Sequence, residues 1–151
     1  MIFFTQTLQD GIQDESGWTR RACRTFERNR QIYAAYLQTI SPLLPRSLIR
    51  LCRLTLHDAV FESVSQQSGT LRFVMDARRA LGGFEGRRLQ LTFSGVRRRI
   101  PTRGLVGEWW IYEEAHLSSR AAFALHVLLH AREFEIEADG LDIKLLSSRT
   151  K

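Results

Sequence analysis

The apolar positions of the chain change their period near residue 54, from a helical repeat to the alternation of β-strands. Across residues 18–40, apolar residues recur every three or four positions and form one stripe, which predicts a long amphipathic helix. Pro45 then suits the first turn of a second helix that runs to about Arg53. A weaker repeat over residues 3–14 indicates a short first helix. The first third of the chain is therefore predicted to be helical.

Beyond this point, alternating apolar and polar residues predict an antiparallel sheet. The predicted strands are a hairpin over 59–77 and single strands at 88–93, 105–114, 119–130, 133–138 and 141–146. Residues 119–130 also have the alanine content of a helix, but their clean alternation favours a strand. Asp139-Gly140 is a typical hairpin turn, which predicts that the last two strands pair with each other.

The composition fits one ordinary domain, because 151 residues with 44% hydrophobic content can bury a core without disulfides. We predict an α+β fold in which N-terminal helices, within residues 1–53, pack on one antiparallel sheet of about six strands, within 54–146. Cys23 and Cys52 have no C-x-x-C spacing and are expected to be reduced thiols in a cytoplasmic protein. Neither an export signal nor a membrane span is expected.

A polar pair, His57 and Asp58, lies where the helical part meets the sheet. Such a pair can satisfy freed backbone groups, since an Asp side chain accepts local N–H bonds. The same pair could serve as acid and base in an enzyme together with Glu113. No complete catalytic signature accompanies them, so we favour a structural junction and no enzyme. Glu113 is expected to be a buried carboxylate paired with an arginine.

The charge is concentrated in the middle of the chain. The formal net charge is +6, and residues 19–103 carry 17 arginines against 5 acidic residues. A basic face attracts nucleic acid, anionic lipid or an acidic protein surface. Arginine also outnumbers lysine 20 to 2, which is typical of a G+C-rich coding bias in which arginine fills ordinary solvent positions.

Three groups of arginines and one tryptophan are the candidate contacts, because Arg and Trp most often carry interface energy. These partner-binding candidates are Arg20, Arg24, Arg28, Arg46, Arg50, Arg53, Arg97, Arg98, Arg99 and Trp110. Nucleic-acid binding through the same arginines is the alternative function, although the aromatic pattern of a known RNA-binding module is missing.

Metal and phosphate chemistry find little support in the sequence, and we expect no cofactor. His126 and His130 are four residues apart, which on a strand separates them by roughly 13 Å, too far for one metal ion. The glycine-rich stretch over residues 82–86 lacks the lysine and following helix of a phosphate-binding loop.

Several short motifs together resemble those of an uncharacterised bacterial domain family. They are Phe3-Phe4-Thr5, Tyr33-x-x-Tyr36-Leu37, Leu56-His57-Asp58-Ala59, Gly107-Glu108-Trp109-Trp110-Ile111-Tyr112-Glu113-Glu114 and Leu125-His126-Val127-Leu128-Leu129. Leu-His-Asp at the mouth of an antiparallel sheet is also similar to immunity proteins of polymorphic toxin systems. The resemblance implies a small cytoplasmic protein that binds and neutralises a toxin, with no catalytic residues. Immunity proteins against nucleases are often acidic, so a basic chain implies a toxin with an acidic surface.

Overall fold

Two helices precede seven strands in the computed structural model, which describes residues 3–4, 20–80 and 87–146. The elements are α1 (Arg20–Ile40), a 3₁₀ turn (Ser41–Leu43), α2 (Arg46–Arg53), β1 (Val60–Gln67), β2 (Thr70–Asp76), β3 (Arg88–Ser94), β4 (Trp110–His116), β5 (Phe123–Leu129), β6 (Glu133–Ala138) and β7 (Gly140–Leu146). Both longer helices predicted from the sequence are confirmed. The short helix predicted over residues 3–14 falls mostly outside the described residues.

The strands form two antiparallel sheets, so the prediction of one sheet of about six strands is wrong although the α+β class is confirmed. The first sheet has the order β1-β2-β3-β7 and the second has the order β4-β5-β6. The hairpin predicted over 59–77 is present as β1 and β2, and the strand reading of 119–130 is confirmed over Phe123–Leu129. The strand predicted at 105–114 begins only at Trp110, because residues 106–107 form a turn and Trp109 makes only an isolated bridge to Val60.

Asp139-Gly140 does not close a hairpin, because β7 pairs with β3 instead of β6. The backbone N–H of Asp139 donates to Ser94 O at 2.9 Å, which aligns the following strand with β3. Pairing there buries Leu141 against the first sheet. A turn sequence specifies how the chain reverses, whereas the available strand edge decides the partner.

The two sheets enclose one hydrophobic core that the helices complete. Phe73 of the first sheet meets Phe134 of the second edge to face, with ring centroids 6.1 Å apart. Leu48 and Leu51 of α2 are fully buried in the same core. Because these side chains come from helix and from both sheets, the described residues fold around one shared interior.

The start of β1 joins the two sheets at the junction predicted from the sequence. Ala59 N–H donates to Leu56 O at 2.8 Å, which closes a turn around His57 and Asp58. Asp58 has a φ of 72°, a region that Asp tolerates better than most residues, and its N–H donates to Trp110 O at 2.9 Å. The polar pair therefore lies where the backbone of the first sheet binds that of the second.

Gly95 provides a stability test of the connection that follows β3. It has a φ of 65°, and a Cβ atom there would overlap the carboxylate of Asp139. Gly69 has a similar φ of 73° with no atom within 4 Å of the Cβ position. Gly95→Ala should therefore lower the free energy of unfolding by about 2–3 kcal/mol, and Gly69→Ala by only about 1 kcal/mol. Urea denaturation measures both, and equal losses would contradict the overlap.

Candidate functional site

The arginines of α2 form a basic groove beside the 3₁₀ turn. Arg46, Arg50 and Arg53 follow a helical spacing on the face opposite Leu48 and Leu51, so burial of the two leucines exposes all three cations. The groove has a volume of about 490 Å³ and is also lined by residues 41, 42, 44 and 49. We call it the α2 groove.

The α2 groove lacks neutralising carboxylates within the described parts of the chain, where none of its arginines forms an ion pair. Arg50 and Arg53 lie in the last helical turn, where cations are favoured by the helix dipole. Arg46 lies in the first turn, where the dipole disfavours a cation and where no acidic residue is present. Helix stability therefore explains the charge of Arg50 and Arg53 but not that of Arg46.

The other candidate arginines have different surroundings. Arg97 donates to Asp139 at 2.7 Å, and Arg98 lies 3.3 Å from Glu137 and 3.6 Å from Glu135. These pairs tie the loop after β3 to the end of β6. The remaining candidates are Arg24, Arg28 and Arg99, which are exposed, and Arg20, whose side chain lies outside the described residues. The structure thus brings two groups of candidate arginines together: those of α2 in the α2 groove, and Arg97, Arg98 and Arg99 in a smaller groove of about 330 Å³. In the smaller groove, two of the three arginines are already paired with carboxylates.

Trp110 cannot contact a partner, because it is fully buried, and the prediction that it is a surface contact is wrong. Its ring packs 5.9 Å from Phe61 between centroids, and its indole N–H donates to Glu113 at 2.6 Å. Trp109 is exposed instead and lines a second groove of about 550 Å³ together with Val106. A register shift between Trp110 and Tyr112 buries Trp110 and Ile111 in succession, which breaks simple alternation.

Glu113 lines a cleft of about 440 Å³ between the helices and β4, together with Tyr33, Cys52 and His57. Burial raises the pKa of the Glu113 carboxyl to about 7, against the lowering effect of the Trp110 N–H bond. The prediction that Glu113 pairs with an arginine is wrong, because its carboxylate accepts the indole N–H of Trp110 instead. Glu113 is therefore partly protonated near neutral pH.

The cleft disfavours nucleophilic chemistry. Burial raises the pKa of the Cys52 thiol to about 12, and burial also raises the pKa of the Tyr33 hydroxyl. A protonated thiol is a poor nucleophile. His57 Nδ1 lies 3.0 Å from Asp58 Oδ1, yet it has no hydrogen bond of acceptable angle among the described residues. His57 and Glu113 both line the cleft, whereas Asp58 lies outside its lining.

Sequence reasoning missed a cluster of histidines and carboxylates on the second sheet. Glu114 and His116 on β4 lie on the same strand face, and His126 on β5 is directly opposite Glu114. Each of the three offers a ligating atom, and these atoms lie within 4.8 Å of one another. The available signal was the Glu-x-His spacing at the end of the strand predicted over 105–114, which in the structure continues to His116. His126 could be added only once the register of β4 against β5 was known.

The cluster is largely shielded from solvent. Glu114 has no exposed surface and His116 is 7% exposed, whereas His126 is half-buried. His116 Nε2 lies 3.1 Å from Glu114 Oε2. Burial lowers the pKa of the His126 imidazole, which favours its neutral form.

The sequence profile of the family described as "Protein of unknown function (DUF4085)" matches residues 5–138. The chain belongs to this family. Neither a curated protein nor a solved structure matches the sequence of this chain.

The segment shared with the DUF4085 family contains α1, α2 and all strands up to β6. The α2 groove, the histidine cluster and the cleft at Glu113 except for Phe4 therefore lie within the family segment, whereas β7 lies beyond it. Within the described ranges, neither helix combines the length and apolarity needed to cross a bilayer.

Proposed function

We propose that this protein is a protein-binding module whose α2 groove takes an acidic segment of a partner protein. The observation that supports the proposal is the set of three exposed cations, Arg46, Arg50 and Arg53, around one groove without carboxylates of their own. Arginine guanidinium groups bind carboxylates through two parallel hydrogen bonds, which adds direction to the charge attraction.

The groove also offers apolar surface beside the charges. Leu44 and Ile49 contribute to its lining, and Leu43 on the adjoining turn is 69% exposed. An acidic segment with one apolar side chain would match both features, since interface energy concentrates where an apolar anchor is surrounded by polar contacts. A simple polyanion would use only the arginines.

We further propose that the partner is a bacterial toxin that the chain neutralises. The support is the sequence resemblance of the Leu56-His57-Asp58 stretch to immunity proteins, together with the basic groove. A toxin of this kind would present Asp and Glu side chains at the surface that meets α2. Inhibition would then follow from covering the toxin's surface and not from any chemistry in this chain.

Charge reversal in the α2 groove tests the proposal. Arg46→Glu/Arg50→Glu should weaken binding of the purified acidic partner by at least about 30-fold, the effect of losing one hot-spot contact. Arg24→Glu/Arg28→Glu on α1 makes the same change in net charge away from the groove and should cost about threefold or less. Isothermal titration calorimetry with the protein encoded beside this gene measures both.

The same two variants separate this proposal from nucleic-acid binding. Non-specific binding to RNA or DNA depends on the total positive charge and falls steeply with salt. Equal losses for both variants, with a duplex as the tightest ligand at physiological salt, would therefore replace the protein-binding proposal. Selective loss for the α2 variant with an acidic protein supports it.

A further inference from the structure

We propose that Glu114, His116 and His126 form a binding site for one divalent transition-metal ion of the zinc type. The site is separate from the α2 groove and independent of the proposed partner. Its residues lie on the face of the second sheet beneath α1 and Phe3-Phe4.

Strand geometry places the three ligands together without any distortion of the backbone. Glu114 and His126 are paired across β4 and β5, and His116 follows Glu114 by two residues on the same face. Directly opposed residues of antiparallel strands have Cβ atoms about 4.5–5.5 Å apart. Side chains as long as Glu and His can therefore converge on one point above the sheet.

Each ligand also has a hydrogen-bond or ion-pair partner outside the group of three, and such a partner can hold the side chain in the orientation that brings its ligating atom close to the other two. Oε1 of Glu114 accepts the N–H groups of Phe3 and Phe4, at 2.8 and 2.6 Å, while Oε2 is directed at His116. Nδ1 of His116 lies 3.1 Å from the hydroxyl of Tyr36, which can accept or donate. Outer partners of this type orient the ligands in known metal sites.

His126 has its outer partner on the third strand of the sheet. Glu135 lies directly opposite it on β6 and contacts Nε2 of the imidazole. A carboxylate bound to one nitrogen of a histidine is the usual arrangement when the other nitrogen binds metal. Alternatively, Glu135 completes the coordination sphere itself, and its substitution distinguishes the two roles.

The donor set selects the class of ion. Two imidazole nitrogens and one carboxylate oxygen suit Zn²⁺ and its neighbours in the first transition row, whereas Mg²⁺ and Ca²⁺ prefer oxygen alone. Metal–ligand bonds of about 2.0–2.2 Å place the ligands about 3.3–3.6 Å from one another in a tetrahedron. Glu114 Oε2 and His116 Nε2 are already 3.1 Å apart, so only His126 has to move inward.

The ion would join three parts of the chain. Glu114 is bound to Phe3-Phe4, His116 to Tyr36 of α1, and His126 to Glu135 of β6. Because two of the three ligands are almost fully buried, the ion would be largely shielded from solvent. We therefore expect metal to fix the N-terminal segment and α1 on the second sheet.

Zn²⁺ titration of the full chain tests the proposal. Wild type should bind one equivalent by calorimetry and by elemental analysis after dialysis, and its melting temperature should rise with added Zn²⁺. Glu114→Gln keeps an oxygen for the Phe3 and Phe4 amides but weakens the ligand, and His126→Gln removes a nitrogen. Each should reduce Zn²⁺ affinity by more than about a hundredfold, the upper range for outer partners alone.

Matched controls exclude binding elsewhere. His130→Gln changes an exposed histidine next to β5 and should retain wild-type affinity, as should Cys23→Ser/Cys52→Ser. Glu135→Gln should cost about 10- to 100-fold if the carboxylate only orients His126, and more if it ligates. Visible absorption of the Co²⁺ form then reports whether the coordination is tetrahedral.

Two results would overturn the site. One is a wild-type chain, folded by circular dichroism, that takes up no Zn²⁺ or Co²⁺ at micromolar concentrations, which would leave a hydrogen-bonded cluster only. The other is metal binding that survives Glu114→Gln and His126→Gln in folded protein but is lost in the cysteine or His130 variant.

Discussion

Trp110→Ala is expected to lower the free energy of unfolding by about 3–5 kcal/mol, the usual cost of truncating a buried aromatic side chain. Trp110 has no exposed surface and packs on Phe61, so its removal leaves a cavity where the two sheets meet. The substitution also removes the indole N–H that donates to the Glu113 carboxyl. Chemical denaturation measures the change.

Trp109→Ala is the matched control, because the two tryptophans are adjacent and differ mainly in burial. Trp109 is 43% exposed, and its truncation should cost about 1 kcal/mol. Similar losses in the free energy of unfolding for the two variants would mean that Trp110 contributes no more core packing than the exposed Trp109. Trp110→Phe keeps most of the ring and removes the N–H, so it should raise the pKa of Glu113 further.

The stability of the wild type should fall by about 3 kcal/mol between pH 4.5 and pH 7 through Glu113 alone. Burial raises the pKa of this carboxyl from 4.5 to about 7 in the folded protein. The folded state therefore keeps its proton over a range in which the unfolded chain has lost it. Folding is favoured by this group at low pH, and the advantage disappears as the pH rises through about 7.

Glu113→Gln isolates the contribution of this one carboxyl. The variant should lose the downward slope, so that the wild type and the variant differ most at pH 8, where glutamine is more stable by up to about 3 kcal/mol. Urea denaturation at pH 5, 6, 7 and 8 gives the two curves, and subtraction removes the contributions of all other groups. Parallel curves would show that Glu113 titrates as an ordinary solvated carboxyl.

The helices and most strands were predictable because their periods are local. Tyr33 and Ile40 lie on the stripe that predicts α1, and both are buried. Alternation also decided correctly between strand and helix for Phe123–Leu129. The division into two sheets was not predictable, since alternation specifies which face of a strand is buried but not which strand it pairs with.

The candidate sites were likewise predictable only where the spacing within one element relates their residues. The α2 groove could be predicted from the helical spacing of Arg46, Arg50 and Arg53, because a helix relates these positions by itself. The cluster of Glu114 with His126 depends on a register between two strands, which the sequence does not state. The burial of Trp110 depends on a local register shift, and no residue type marks that shift in advance.

The pairing of β7 with β3 has a consequence for how the chain refolds. β3 can pair with β2 early in folding, because the two strands are close in sequence. Its other edge pairs with β7, which comes after the whole second sheet along the chain. Until then, β3 offers unpaired backbone groups flanked by Leu89, Leu91 and Phe93. Dilution should therefore improve the recovery of native protein, because intermolecular capture of this edge competes with a slow, non-local closure.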